Sequence, residues 1–87
     1  GYLMIYPNPG TGENIFFDFS NLPNNVTVED LTIYGTNGNL VERLNVTLNP
    51  ESQKVIEYRF AQPLAAGVYV LQYKFNGRLS EQKLVVQ

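Results

Sequence analysis

Residues 14–19 alternate in the manner of a half-buried strand, with Ile15, Phe17 and Phe19 on one face and Asp18 on the other. The same period of two returns along the chain. Residues 3–6 form a short apolar run, and residues 28–34 set Leu31 and Ile33 inward against Asp30 and Thr32. In residues 40–48 the side chains of Leu40, Leu44, Val46 and Leu48 share one parity, over a run long enough to need a bend or bulge. Ile56, Tyr58 and Phe60 oppose Glu57 and Arg59 within residues 54–60, and Tyr69, Leu71, Tyr73 and Phe75 oppose Gln72 and Lys74 within residues 68–75. A last run covers residues 79–86. No segment sustains the 3.6-residue period of an amphipathic helix, so the pattern predicts an all-β domain of about seven strands.

The breaks between these runs carry turn chemistry. Pro7 and Pro9 lack the N–H that a continuing ladder needs, so the first strand stops at Tyr6. Asn37-Gly38 and Asn76-Gly77 are hairpin signals, because both residue types tolerate positive φ. The polar stretches 21–25 and 49–52 mark further turns. Leu64-Ala65-Ala66-Gly67-Val68-Tyr69 places a tyrosine just after a turn, at the start of the penultimate strand. It resembles the tyrosine corner of Greek-key sandwiches, whose phenol bonds back to nearby backbone. Seven strands at this spacing are expected to pack as two antiparallel sheets.

Composition limits the chemistry. A chain of 87 residues with 44% hydrophobic and 13% aromatic side chains is one domain with a core of its own, and no cysteine is present to staple it. Eight acidic and six basic residues give a net charge of −2 with no basic stripe, which argues against nucleic acid and an anionic membrane surface as partners. No apolar run approaches the roughly 18 residues of a membrane-spanning helix. The single methionine, Met4, stands behind Gly1-Tyr2-Leu3, and the chain reads as a piece of a longer protein. Asn25-Val26-Thr27 and Asn45-Val46-Thr47 match the glycosylation sequon, a pattern short enough to arise by chance where turns are rich in Asn.

Candidate catalytic groups are scarce. The absence of histidine removes the usual general base, and the absence of cysteine removes thiolate chemistry. Ser20, Ser52 and Ser80 fall at turns or strand ends with no activating lysine in pattern. Glu29 and Asp30 are neighbours on a strand and point to opposite faces, so they cannot flank one glycosidic bond. Asn37 and Asn39 flank a glycine that the hairpin itself requires, which is no calcium-loop spacing. We therefore expect no enzymatic activity, no cofactor and no metal.

Four segments in order carry a resemblance: Tyr6-Pro7-Asn8-Pro9, the hairpin from Ile33-Tyr34 through Gly38 to Leu40-Val41, Leu64-Ala65-Ala66-Gly67-Val68-Tyr69-Val70-Leu71, and Lys83-Leu84-Val85-Val86. Together they closely resemble the type A C-terminal sorting domain of the Bacteroidetes type IX (Por) secretion system, over residues 4–87. The resemblance implies an immunoglobulin-like sandwich at the end of a secreted protein, an address read by the outer-membrane translocon. It implies an N-terminal cargo covalently attached ahead of the domain, passage through the periplasm and outer membrane, and a sortase-like peptidase that cuts upstream of the domain. Cargo is then secreted or held at the cell surface. Carried over by position, Tyr6, Pro7, Asn8 and Pro9 open the domain, Gly38 is the hairpin glycine, Gly67 and Tyr69 form the corner, and Lys83, Leu84 and Val85 belong to the terminal strand tied to export. Gly35 and Asn39 depart from the family's frequent Asp and Arg or Lys.

Two other readings compete. A carbohydrate-binding or spacer sandwich would need a planar row of exposed rings, and parity leaves only Tyr2, Tyr6, Phe16 and Tyr34 for it, with Tyr58, Tyr69 and Tyr73 inward. A strand-pairing module would use the apolar terminal run Leu84-Val85-Val86.

Overall fold

The computed structural model describes residues 2–46 and 48–87. Seven strands run in chain order as β1 (Met4–Tyr6), β2 (Asn14–Asp18), β3 (Val28–Gly35), β4 (Leu40–Arg43), β5 (Val55–Arg59), β6 (Gly67–Phe75) and β7 (Arg78–Val86), with no helix among the described residues. They form two antiparallel sheets, β1-β2-β5 and β4-β3-β6-β7, packed as a sandwich. The all-β expectation holds.

Alternation explains most of the core. Phe17 and Ile15 of β2, with Leu3 and Phe19 beside the ends of β1 and β2, join Ile33, Leu71 and Leu84 from the second sheet, all almost wholly removed from water. Truncating either phenylalanine to alanine is expected to cost about 3–5 kcal/mol through lost burial and the void left behind. Tyr73 is buried with them, whereas Tyr58, Tyr69 and Phe75 pack against this core half-buried.

Two expectations need correction. On β3 Leu31 and Ile33 face the core as expected, but Val28, of the opposite parity, does so too, so one alternation does not run the length of the strand. A register shift between Glu29 and Thr32, with Asp30 at φ 56°, inserts an extra residue and switches faces midway. Thr32, between Leu31 and Ile33 and so on the other face, is also buried, its hydroxyl donating to the Asp30 carbonyl at 3.4 Å. On β4, Leu40 does not share a face with Leu44. The register shifts between Ile33 and Tyr34, leaving Leu40 opposite Tyr34 and 50% exposed while Leu44 is buried. The strand ends at Arg43, and of the run 40–48 and the second sequon, Thr47 lies outside the described residues.

The two Asn-Gly hairpins differ in kind. Asn76 and Gly77 both take positive φ, 50° and 80°, between the paired residues Phe75 and Arg78, which is the two-residue type I′ turn. At the β3–β4 tip only Gly38 does so, at φ 87°. There the Gly38 N–H donates to the Gly35 carbonyl at 2.9 Å and the Gly35 N–H to the Asn39 carbonyl at 2.9 Å, closing a longer loop.

Candidate functional site

β1 ends where Pro7 and Pro9 remove two donors, and both Tyr6–Pro7 and Asn8–Pro9 peptide bonds are cis. Asn8, between them, turns its side chain onto the outer edge of β7. Its carboxamide nitrogen donates to the Lys83 carbonyl at 2.7 Å, and its carboxamide oxygen accepts the Val85 N–H at 2.9 Å. Gly10 repeats the pattern with its backbone. The Gly10 N–H donates to the Val85 carbonyl at 2.8 Å, and its carbonyl accepts the Gln87 N–H at 3.0 Å. A residue in a parallel strand makes this pair of bonds, straddling one residue of its neighbour. Gly10 thus forms a parallel bridge to Val86, and the Asn8 carboxamide supplies the preceding rung across Leu84. A carboxamide is the side-chain equivalent of a peptide group, with one donor and one acceptor side by side. Aspartate would lose the donor and alanine both groups.

The chain beyond this strap is pressed against the molecule. A Cβ on Gly10 would stand 2.8 Å from the Pro7 carbonyl oxygen. Gly12, at φ 85°, is tighter still, for a Cβ there would collide with the Leu64 carbonyl oxygen and come within 2.9 Å of a Val86 methyl. The Gly12 carbonyl accepts the Leu64 N–H at 2.8 Å. Leu64 opens the corner segment, and the Tyr69 phenol closes it by donating to the Ala65 carbonyl at 2.5 Å, the back-bond anticipated for a tyrosine corner. Gly67 sits at φ 159°, close to fully extended, with space around its α-carbon.

Segments separated in sequence therefore meet at one end of the four-stranded sheet. Gly35 pairs with Tyr69 and Tyr69 with Leu84, while Asn8 straddles Leu84 from outside, so one row crosses the sheet from the β3–β4 hairpin to the strap. Gly38 lies at the tip of that hairpin, in open space. Lys83 is exposed, Val85 half-buried, and Leu84 wholly in the core. Tyr6 stands apart from the row, on the outer face of the other sheet. Its ring stacks on Phe16 with centroids 5.6 Å apart and planes 20° from parallel. Two rings stacked this way cover each other's faces rather than offering a row to a sugar. The Tyr6 phenol points to Asp18 at 3.5 Å, and its pKa is raised by desolvation first and by the Asp18 charge second. Asp18 is held below the usual carboxylate range, mainly by hydrogen bonds from Ser20.

Sequence reasoning missed several residues that fix this geometry. Gln82 reaches from β7 to the Leu3 carbonyl at 3.0 Å and to the Tyr73 phenol at 2.9 Å, tying the two sheets together. On the opposite side Glu42 accepts the Tyr58 phenol at 2.5 Å and the Ala61 N–H at 3.2 Å. Desolvation, then Glu42, pushes the Tyr58 pKa up to about 12. The only advance sign of Gln82 was a polar side chain at an inward position of the last strand. No group of three or more acidic, histidine or cysteine side chains among the described residues could hold a metal ion.

A family model described as the secretion system C-terminal sorting domain matches residues 4–87. No curated protein and no solved structure matches the chain.

Proposed function

We propose how this domain acts as an address, given that the chain belongs to the secretion system C-terminal sorting domain family, the sorting signal of type IX secretion. Such a signal directs export across the outer membrane to the cell surface or beyond, and implies contact with the secretion machinery and attachment to a cargo. In our reading the outer-membrane translocon recognises a folded shape, the corner where the strap Tyr6-Pro7-Asn8-Pro9 lies along Lys83-Leu84-Val85. The cargo precedes this domain, and a sortase-like peptidase cuts in the linker ahead of it. The domain itself makes and breaks no bond.

The observation that carries this reading is the double hydrogen bond of Asn8 to Lys83 and Val85, residues more than seventy positions away in the chain. It gives each candidate residue a physical part. Pro7 and Pro9 aim the strap, Asn8 and Leu84 lock it to the strand and the core, and Gly67 with Tyr69 sets the corner beside it. Gly38 shapes the neighbouring hairpin. Lys83 and Val85 are left to present the charge and the apolar side chain that a partner touches. A surface held by main-chain-like bonds loses little conformational freedom on binding.

The test is a fusion of signal peptide, reporter and residues 1–87 in a host that carries this secretion system. We expect the reporter at the cell surface or in the medium, and Lys83→Glu to reduce it with the melting temperature unchanged. Retention of the folded wild-type fusion in the periplasm overturns the reading.

A further inference from the structure

Asn8 and Gly10 cover only part of the β7 edge. Odd-numbered residues of β7 turn their N–H and C=O away from β6, since Val85 gives both of its groups to the strap, Gln87 just beyond gives its N–H, and Phe75 pairs with Arg78 across the hairpin. The strap satisfies the Lys83 carbonyl, both groups of Val85 and the Gln87 N–H. It stops there. The Lys83 N–H and both groups of Glu81 and Leu79 have no hydrogen-bond partner among the described residues, and β7 is the last strand of its sheet. The other sheet does not cover them, because Ser80 and Gln82, which face inward, remain partly exposed.

We infer that the open half of this edge, Leu79 to Lys83, accepts an extended segment of an export-machinery protein, which continues the sheet where the strap ends. This rests on the sorting reading above. A row of unpaired donors and acceptors at strand spacing is complementary to one kind of ligand, another extended backbone. The strap's rungs demonstrate that the edge pairs outward with good geometry. Natural edges are commonly blunted by charge, yet Leu79 stands 69% exposed at the hairpin end of this one. On the outer face the side chains beside an added strand are Leu79, Glu81 and Lys83. Glu81 is already engaged by the Gln72 carboxamide at 2.9 Å, so cross-strand pairing favours an apolar residue against Leu79 and an acid against Lys83. The terminal run Leu84-Val85-Val86 is excluded from such pairing, because its own chain occupies that part of the edge.

Proline tests this directly. At Glu81 or Leu79 it deletes an outward N–H and leaves every backbone bond between β6 and β7 in place, a position where edge strands tolerate it. In the reporter fusion, Glu81→Pro and Leu79→Pro are expected to lower surface reporter about tenfold or more. Melting curves of the purified fusions establish that the variants fold. A folded proline variant exported like wild type overturns the inference, whereas failure of the wild-type fusion to leave the periplasm overturns the sorting reading instead. Should both prolines unfold the domain, hydrogen–deuterium exchange of the wild-type fusion mixed with detergent-solubilised outer membranes of that host decides. Slowed exchange at Leu79, Glu81 and Lys83 supports strand addition, and unchanged exchange there overturns it.

Discussion

The sandwich has two open sides, and they are closed by different physics. On the side of β1 and β7, Asn8, Gly10 and Gln82 bridge the sheets with neutral, peptide-like bonds to backbone of β7 and to Leu3. On the side of β4 and β5 one carboxylate, Glu42, serves both the Tyr58 phenol and the Ala61 N–H, beside the exposed Leu40 and Val41. The first arrangement depends on backbone placement at several points and is indifferent to pH. The second depends on one charge. The side where the Asn8 strap lies along β7 is thus held at several independent points, and the side of β4 and β5 at one.

The steepest test of this contrast is Gly12→Ala. A methyl there meets the Leu64 carbonyl and Val86 at sub-van-der-Waals distance, in a backbone region that L-residues avoid. A loss of about 3 kcal/mol is expected, a fall of roughly 15 °C in melting temperature for a domain of this size. A melting temperature within a few degrees of wild type would break the claim that geometry limits this side. Asn8 comes next. Asn8→Asp keeps an acceptor for Val85 but turns a charged oxygen toward the Lys83 carbonyl, for an expected loss of about 2 kcal/mol, against about 1 kcal/mol for Asn8→Ala. Denaturant midpoints at constant slope measure both. If aspartate is as stable as asparagine, the carboxamide donor contributes nothing and the rung across Leu84 is incidental.

The same contrast explains what could be read from sequence. Strand positions were legible because Ile15, Phe17 and Phe19, or Leu71 and Tyr73, alternate without interruption. The face switch on β3 was not, since a bulge adds a residue without changing composition, and Asp30 is a residue type seldom found at positive φ outside turns. Identical Asn-Gly pairs gave two different hairpins because Asn76 also binds Thr27, its N–H donating to the Thr27 carbonyl and its side chain accepting the Thr27 N–H, each at 2.9 Å. Pro7 and Pro9 announced the end of β1. That Asn8 between them would bind a strand at the far end of the chain depends on tertiary placement, which no local pattern encodes. The Glu42 side was equally hidden, because one glutamate on a short strand looks like any solvated residue.

The smallest expected effect lies on the Glu42 side and is a matter of pH. Tyr58 holds its proton more tightly folded than unfolded, with its pKa moved from 10.0 to about 12 by desolvation and by Glu42. Its contribution is therefore complete below pH 10 and is lost as pH rises toward 12, where the unfolded chain has released the proton and the folded one resists. Stability measured across that window should fall less in Tyr58→Phe, which has no proton to release, than in wild type. Glu42→Gln should flatten the same decline in part, since it removes the charge and leaves the desolvation. Asn8→Ala should follow the wild-type slope from a lower starting point, for no titrating group takes part in its bonds. A steeper alkaline decline in Asn8→Ala than in wild type would mean that the two sides are coupled through the core, and that the neutral side depends on the charged one after all.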